Sequence, residues 1–517
     1  MAIEWLTLVA AIWLQSINGT NSNFPAYSSE LKRILSTSQL NLNNLASAND
    51  AGKLFGWISG VAADHLPLWL VLLIGSLLGL LGYGLQFLFL TSQSPSLSYP
   101  LIFLLTALAG NGICWINTVC YLITIRNFPL DRQIAVGLST SYIGLSAKLY
   151  TDIVDVMADS DSPSDRAKAF LLLNSALPLL VCLAVAPLAR GAVVGKSKRL
   201  SRGFFAMFVI SMVTGVFAVV TSLKAVVAGV LPSYAILAGM VVILLLPLVV
   251  PAGEKVTETV RRRCLIAVHH HDGGGGVAGV EKDVESDVNV EGVGVVDEIG
   301  PLVMVRRLEF WLYFFVYLFG ATLGLVFVNN LAQIAESRGC SGTSSLVSLS
   351  AAFSFFGRLL PSFLDYFFPR SKRLVSRAGA MGVMMGPMCG AFFLLLNGED
   401  ASLYVGTGII GICTGSITSI SISTTAELFG TKNFGVNHNI LVSNIPIGSF
   451  LFGDFAALLY NKARYHNSSL CMGQNCYHTT FILWGSLCCL GTFLAFILHL
   501  RTKNLLCSPK ITTQSVA

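Results

Sequence analysis

The chain has 517 residues, of which 54% are hydrophobic and only 12% are charged, about half the charged fraction of a typical soluble domain. This composition excludes an ordinary soluble enzyme and predicts a multi-pass membrane protein. The formal net charge of +6 resides in short basic clusters beside apolar runs, which favours a role in membrane orientation over nucleic-acid binding.

Apolar runs recur from Trp5 to Leu500, and a helix needs about 20 apolar residues to cross a bilayer. We predict fourteen transmembrane spans. The second is the most polar, but it must cross the membrane if the later loops are to alternate in charge. The predicted spans are 4–22, 41–63, 67–90, 101–124, 134–157, 168–189, 204–226, 233–251, 308–330, 344–366, 377–397, 402–425, 437–460 and 479–500.

The loops between these spans alternate between basic and acidic character. Basic residues cluster at Arg126 and Arg132, between 190 and 202, at 261–263 and between 370 and 377, whereas the intervening loops carry more acid, as in 155–165. The positive-inside rule therefore places both termini in the cytosol. We predict an integral protein of the plasma membrane or of an endomembrane. Glu4 and the lack of a small-residue cleavage site indicate that the first span is retained.

Residues 252–306 differ in composition from the rest of the chain. They contain His269-His270-His271, the glycine run 273–276 and a mixture of Glu, Asp and Val without helical periodicity. Such low complexity predicts a disordered cytosolic linker. The histidines could bind a metal, but a solvated loop is favoured. The glycine run lacks the Lys-Ser/Thr of a phosphate-binding loop, and no ligand spacing elsewhere indicates a metal or cofactor.

The loop before the last span carries signs of an oxidising compartment. Asn467-Ser468-Ser469 is a glycosylation sequon, and Cys471 and Cys476 follow it closely. The two cysteines could form a short disulfide if this loop faces a lumen or the cell exterior.

The two halves of the chain repeat a short pattern. Gly56 to Asp64 joins the second and third spans, and Gly357 to Asp365 joins the tenth and eleventh, with the aspartates 301 positions apart. Phe128 and Phe429 show the same separation. Parallel repeats with a substrate site between them are a transporter architecture. The predicted domains are 1–190, a six-helix bundle; 191–251, an extra helix pair; 252–306, the linker; 307–500, a second six-helix bundle; and 501–517, a tail.

This repeat resembles the major facilitator superfamily over essentially the whole chain except the linker. The first span and the loop after it resemble the plant nodulin-like subgroup, of the nuclear-fusion-defective type. The resemblance implies an all-α membrane fold of two six-helix bundles with an extra helix pair between them. Asp64 is followed by His65-Leu66-Pro67 instead of the superfamily's basic residues, and Pro361 replaces the leading glycine in the second copy. The subgroup resemblance rests on Trp5, Ala11-Ile12-Trp13-Leu14-Gln15, Gly19-Thr20-Asn21, Phe24, Tyr27-Ser28 and Leu31-Lys32.

Polar residues inside the spans are the candidates for a substrate site, because such groups are costly in a bilayer. Lys53 lies about 16 Å along a helix from Asp64, near the middle of a hydrocarbon core of about 30 Å. Asp50 shares its helix face, so a structural ion pair is the alternative to substrate or proton handling. Lys148 and Asp152 are predicted to form an internal salt bridge. The amide candidates, for which helix–helix hydrogen bonding is the alternative, are Asn18, Asn21, Asn117, Asn329, Asn330, Asn437, Asn439 and Asn444.

The charged residues at the predicted cytosolic helix ends are the candidates for a gate. Asp64 and Asp365 could pair with Arg126 and with the positive N-terminal end of a helix in the other half. A simple helix cap is the alternative for both carboxylates. Arg358 could pair with Asp365 or Glu427, or reach an anionic substrate.

The leading hypothesis is a secondary active transporter that moves a small polar or anionic solute by alternating access. Asp50 and Glu427 are the titratable candidates for proton coupling. The alternative is a membrane receptor or scaffold that has a transporter fold without transport and binds a partner through its linker. An enzyme ranks third because no catalytic constellation is visible. The predicted partners are the bilayer and a small-molecule or ion substrate, with no nucleic acid and no cofactor.

Overall fold

The computed structural model shows a chain that is helical almost throughout its described residues, with no strand among them. Ten helices in this part of the chain are long and apolar enough to cross a membrane. The all-α membrane class predicted from the sequence is therefore confirmed. The described residues are 2–35, 39–92, 98–158, 162–189, 201–222, 231–271, 298–340, 343–368, 376–463 and 471–507.

The N-terminal half contains nine α-helices, several of which are short segments of one predicted span. Turns of 3-10 helix at Thr20–Asn23, Lys53–Phe55 and Tyr142–Leu145 interrupt the first, second and fifth predicted spans. The helices are α1 (Ala2–Ile17), α2 (Phe24–Leu35), α3 (Gln39–Gly52), α4 (Trp57–His65), α5 (Leu68–Ser92), α6 (Tyr99–Asn127), α7 (Arg132–Ser141), α8 (Ser146–Met157) and α9 (Pro163–Val185).

The rest of the chain supplies the extra helices and the C-terminal half. A π-helical turn at Leu318–Thr322 divides the ninth predicted span. The extra helices are α10 (Ser201–Ser222), α11 (Ser233–Leu245) and α12 (Val249–His271). The C-terminal half contains α13 (Pro301–Met304), α14 (Leu308–Tyr317), α15 (Leu323–Ser337), α16 (Thr343–Phe367), α17 (Arg377–Leu394), α18 (Asp400–Phe429), α19 (Phe434–Val442), α20 (Asn444–Ala463) and α21 (Asn475–Cys507).

The ten membrane-length helices coincide with ten of the fourteen predicted spans. The first, second and fifth spans are divided by the 3-10 turns described above, and the eleventh corresponds to α17, which has 18 residues and begins with Arg377. The count of fourteen therefore stays a prediction. Interrupted helices are common in transporters, where irregular backbone is tolerated because it lies inside the protein.

The structure differs from the predicted linker at both of its ends. Helix α12 continues to His271, and its first turns contain strong helix formers such as Glu254, Lys255 and Glu258. At the other end, the Ile299 N–H donates a 3.0 Å hydrogen bond to the Phe429 carbonyl. Residues 272–297 lie outside the described residues, so disorder there stays a prediction, as does the division of the chain into domains.

Close backbone contacts hold α3 against α6. A Cβ atom on Gly52 would lie 1.9 Å from the Ala107 carbonyl oxygen, and one on Gly110 would lie 1.9 Å from the Asn49 carbonyl oxygen. Only glycine permits this approach at either position. Small residues at helix contacts are the usual solution in a bilayer, where the hydrophobic effect does not drive helices together. The contact places the polar residues of α3 inside the bundle.

The extra helix α10 packs against both halves at once. On the N-terminal side, Phe204 lies edge-on to Trp5, with ring centroids 4.9 Å apart, and the Ser211 and Tyr142 hydroxyls are 3.2 Å apart. On the C-terminal side, Phe208 contacts the ring of Phe363 with centroids 5.8 Å apart. The helix therefore bridges α1 and the α7–α8 segment to α16.

Cys471 and Cys476 form a disulfide that joins the segment before α21 to its first turn. The sequon at Asn467 falls outside the described residues, so its glycosylation stays a prediction. The predicted salt bridge between Lys148 and Asp152 is present.

Candidate functional site

Five polar or aromatic side chains from both halves form what we call the central cluster: Lys53, Tyr121, Tyr317, Arg358 and His438. Tyr317 interacts electrostatically with Lys53 and with Arg358, and Arg358 interacts with Tyr121. The rings of Tyr121 and His438 meet edge to face at 5.5 Å between centroids. Lys53 and Tyr121 come from the N-terminal half, whereas the other three come from α14, α16 and α19. The cluster therefore lies between the two halves.

Backbone irregularities coincide with two members of the central cluster. Lys53 lies in the 3-10 turn between α3 and α4, and Tyr317 immediately precedes the π-helical turn Leu318–Thr322. Such turns inside otherwise regular helices are often found at functional sites, because they redirect side chains.

Lys53 makes a buried ion pair that also joins the two halves. Its Nζ lies 2.6 Å from the Asp50 Oδ1 atom, and both side chains are about one-tenth exposed or less. The Ser449 hydroxyl on α20 donates a 2.8 Å hydrogen bond to the other oxygen of Asp50. The structural ion pair that we considered as the alternative for these residues is therefore present, and it carries a contact between the halves.

Arg358 is a buried cation without a carboxylate partner in the described part of the chain. It is 9% exposed, and its Nε has no hydrogen-bond partner among the described residues. The ion pairs found among the described residues include none with Arg358. Its electrostatic neighbours are the phenols of Tyr121 and Tyr317.

Asp365 and Glu427, the carboxylates considered as partners for Arg358, are bound by Arg377 at the first turn of α17. The Arg377 Nε lies 2.6 Å from Glu427 Oε2, and its Nη1 lies 3.8 Å from Asp365 Oδ2. Nη1 also donates a 2.7 Å hydrogen bond to the side-chain carbonyl of Gln133 in the other half. Gln133 accepts a further hydrogen bond from Ser423. We call these five residues the Arg377 cluster.

The repeat explains why the second half needs this arginine. Asp64 and Arg126 in the first half correspond to Asp365 and Glu427 in the second, each pair of positions being 301 apart. The first half thus has one charge of each sign, whereas the second has two carboxylates. A shared cation is needed to keep two like charges close together, and Arg377 supplies it.

Replacement of Arg377 with glutamine should destabilise the protein by about 1.5–3 kcal/mol, because it removes charge-assisted hydrogen bonds at a site that is mostly buried. The measurement is the free energy of unfolding in mixed micelles. Arg501→Gln is the matched control, since Arg501 also binds one carboxylate, Glu309, but is 47% exposed. An exposed pair contributes about 1 kcal/mol or less. Equal losses in the two variants would contradict the proposed importance of the Arg377 cluster.

Asp64 and Arg126 lie at the same end of the bundle as the Arg377 cluster, which we call the predicted cytosolic end. Asp64 is exposed and interacts electrostatically with Arg126. Neighbouring groups partly desolvate the carboxyl and raise its pKa above the usual value, although Arg126 and His65 act in the opposite direction. Its gating role stays a prediction, to be tested by transport and cysteine accessibility in Asp64→Asn.

One helical turn before Asp64, the two halves touch backbone to backbone. A Cβ atom on Gly60 would lie 2.3 Å from the Gly435 carbonyl carbon and 2.3 Å from the Val436 nitrogen. Helix α4 therefore meets the first turn of α19 at van der Waals contact. The predicted cytosolic end is closed at this point.

A hydrogen-bond network crosses the same interface. The amide of Asn439 donates to the Thr118 hydroxyl at 2.8 Å and to the Gly435 carbonyl at 2.7 Å. The hydroxyls of Thr118 and Ser59 lie 2.7 Å apart. Asn439, a candidate for solute binding in the sequence, instead has protein partners that join α19 to α4 and α6.

The asparagine candidates in the N-terminal half pack between helices. The Asn18 amide donates to the Asn117 side-chain carbonyl at 2.9 Å and to the Ile113 backbone carbonyl at 3.2 Å. This is the helix–helix hydrogen bonding that we considered as the alternative. Asn21 is half-buried in the turn Thr20–Asn23.

The asparagine candidates in the C-terminal half also lie apart from one another. Asn444 accepts a 2.7 Å hydrogen bond from Thr322, Asn437 donates to the Ile299 carbonyl at 2.9 Å, and Asn330 donates to the Val326 carbonyl at 2.8 Å. Asn329 is exposed. The structure therefore does not bring the asparagines together in one site, and their role in substrate binding stays a prediction.

Several residues of these clusters were missed in the sequence. Tyr121, Tyr317 and His438 lie in apolar spans and look like core residues there. Arg377 was counted only as part of a basic loop, and Gln133 gave no signal. Among the described side chains, no group of three or more His, Cys, Asp or Glu residues could hold a metal ion.

Comparisons with known sequences agree with this architecture. A family model described as Nodulin-like matches residues 4–252, and one described as NFD4, C-terminal domain, matches residues 292–508. Protein NUCLEAR FUSION DEFECTIVE 4 of Arabidopsis thaliana is 37% identical over 532 aligned positions, which cover 97% of this chain and 89% of that protein. The chain belongs to the nodulin-like family.

Solved structures show the fold of this nodulin-like protein. The proton:xylose symporter XylE, bound to 6-bromo-6-deoxy-D-glucose, aligns with a TM-score of 0.56 and 14% identity over 96% of this chain and 95% of XylE. The major facilitator superfamily transporter FucP, in the outward conformation, aligns with a TM-score of 0.54 and 11% identity over 96% and 99% of the two chains. The predicted major-facilitator fold is confirmed.

Proposed function

We propose that this nodulin-like protein is a secondary active transporter that moves a small polar or anionic solute by alternating access. The observation that carries the proposal is the position of the central cluster, between two repeated halves that touch at the predicted cytosolic end. In such repeats the substrate site lies at the interface, and rocking of one half against the other exposes it to each side in turn.

The closed end includes contacts that a rocking motion can break at low cost. Gly60 and Gly435 meet through backbone van der Waals contact, and the Arg377–Gln133 hydrogen bond joins the halves at 2.7 Å. The stronger Arg377–Glu427 ion pair lies within one half and can persist when the halves separate. A transporter needs two states of similar free energy. Separation of the two halves meets this condition, because few charges lose their partners when the closed end opens.

The experiment is solute uptake by the purified protein in liposomes. The solutes are labelled organic acids, amino acids, sugars and metal chelates, each tested with and without a pH gradient, so that proton coupling is tested too. Uptake that saturates with concentration and exceeds that of empty liposomes supports the proposal. Lack of uptake of every class would favour the receptor or scaffold hypothesis.

A further inference from the structure

A buried arginine without a protein partner destabilises the folded protein unless a ligand supplies the missing negative charge. Transferring an unpaired charge into a protein interior is costly, and buried cations are normally paired with carboxylates. Arg358 is 9% exposed, and its Nε has no hydrogen-bond partner in the part of the chain that the structure describes. By contrast, Lys53 is bound to Asp50, and Arg377 to Glu427. The protein therefore supplies carboxylates to Lys53 and Arg377, whereas none is found for Arg358 among the described residues.

The Tyr121 hydroxyl is a second group near Arg358 that can bind a ligand. The phenol of Tyr121 interacts electrostatically with the guanidinium. The Tyr121 ring packs edge to face on His438, and among the described residues the Tyr121 hydroxyl has no hydrogen-bond partner. A phenol hydroxyl can donate to an anion. Arg358 and Tyr121 thus present a cation and a hydroxyl from opposite halves.

The local charge limits the ligand that fits. Lys53 and Arg358 contribute two positive charges, and Asp50 one negative charge, so the region carries one net positive charge with tyrosine and histidine neutral at pH 7. A ligand with one negative charge makes the region neutral, whereas a dianion would leave it with one net negative charge. The planar guanidinium fork also matches a carboxylate with two parallel hydrogen bonds.

We infer that the substrate is a small organic monocarboxylate, which Arg358 binds through its carboxylate and to which Tyr121 donates a hydrogen bond. This inference rests on the proposed function in taking the central cluster as the substrate site. Since the two groups belong to different halves, binding of the carboxylate draws the halves together around it.

The test is ligand binding to the purified full-length protein, followed as a shift in melting temperature and with radiolabelled probes. The probes are pyruvate, glycolate and phenylacetate, with sulfate, which is a dianion at pH 7, and glucose as comparisons. We expect at least one monocarboxylate to raise the melting temperature, and sulfate and glucose to leave it unchanged. In Arg358→Gln the affinity for that monocarboxylate should fall roughly ten- to a hundredfold, the usual effect of losing a charge-assisted hydrogen-bonding partner.

Two further variants separate binding from folding. Arg166→Gln removes an arginine that pairs with Asp155 away from the central cluster, and its affinity should equal that of the natural protein. Arg358→Gln without ligand should melt at the same temperature as the natural protein or higher, because an unpaired buried charge is gone. A structural arginine would give the opposite change. Arg358→Lys keeps the charge without the planar fork and should bind with intermediate affinity.

The outcomes distinguish the inferred substrate class from the proposed transporter function. The inference is overturned if no monocarboxylate binds, or if Arg358→Gln binds it as tightly as the natural protein does. Liposome uptake of a neutral solute that is equal in both proteins would overturn the inference and leave the transporter function standing. Monocarboxylate binding that depends on Arg358, without uptake of any solute, would support the inference and overturn the transporter function.

Discussion

Replacement of Gly60 with alanine should prevent the predicted cytosolic end from closing and should strongly reduce transport. The added methyl group would lie 2.3 Å from backbone atoms of Gly435 and Val436, and backbone atoms cannot rotate aside as a side chain can. Overpacking of this kind costs about 1–3 kcal/mol. Only the closed state bears that cost, so the equilibrium between the two states should shift by roughly 5- to 150-fold.

The thiol of Cys114 reports this opening without an engineered label. It is buried and interacts electrostatically with Lys53, so it lies beside the central cluster. Opening of the predicted cytosolic end should increase its reaction with a hydrophilic maleimide, measured by peptide mass spectrometry. Gly79→Ala is the matched control, because a Cβ there meets nothing within 4 Å. Unchanged labelling in Gly60→Ala would show that this contact does not gate the site.

Replacement of Asp50 with asparagine should destabilise the protein by about 3–5 kcal/mol, since it leaves the Lys53 ammonium buried without its counter-charge. It also weakens the hydrogen bond from Ser449 and so loosens a contact between the halves. The measurement is the free energy of unfolding in mixed micelles. The double variant Asp50→Asn with Lys53→Met should recover most of the loss, because both charges are then absent.

A more exposed carboxylate provides the comparison for this variant. Asp155 pairs with Arg166 at 2.6 Å, and both side chains are about one-quarter exposed. Asp155→Asn should therefore cost about 1 kcal/mol or less. If Asp50→Asn were no more harmful than Asp155→Asn, or if the double variant were as unstable as the single one, Lys53 would have another counter-charge.

Features that depend on local spacing could be predicted from the sequence. Apolar runs of membrane length predicted the positions of ten spans that the described part of the structure contains. The spacing of Asp50 and Lys53 predicted their ion pair, because residues three apart share a helix face. The spacing of Lys148 and Asp152 predicted their salt bridge in the same way. The repeat of Asp64 and Asp365 indicated the family, because the same separation of 301 residues also relates Phe128 to Phe429.

Features that depend on long-range contact could not be predicted. Gln133 meets Ser423, 290 positions away, and no local pattern marks either residue as a partner of the other. The apolar residues beside Arg358 in the sequence gave no indication that Arg377 would bind the carboxylates predicted as its partners. The 3-10 turn at Lys53–Phe55 also depends on tertiary packing, since the glycines beside it are compatible with a continuous helix in a membrane.

Helix α10 determines from which side a membrane-dissolved molecule could reach the interior. Its inner face covers the seam between Tyr142 and Phe355, whose rings meet at 5.7 Å between centroids, and a Cβ on Gly215 would lie 2.5 Å from the Phe355 ring. Its outer face presents exposed valines to lipid, at positions 209, 213, 216 and 220. In this conformation, lateral entry from the bilayer is therefore blocked along this seam.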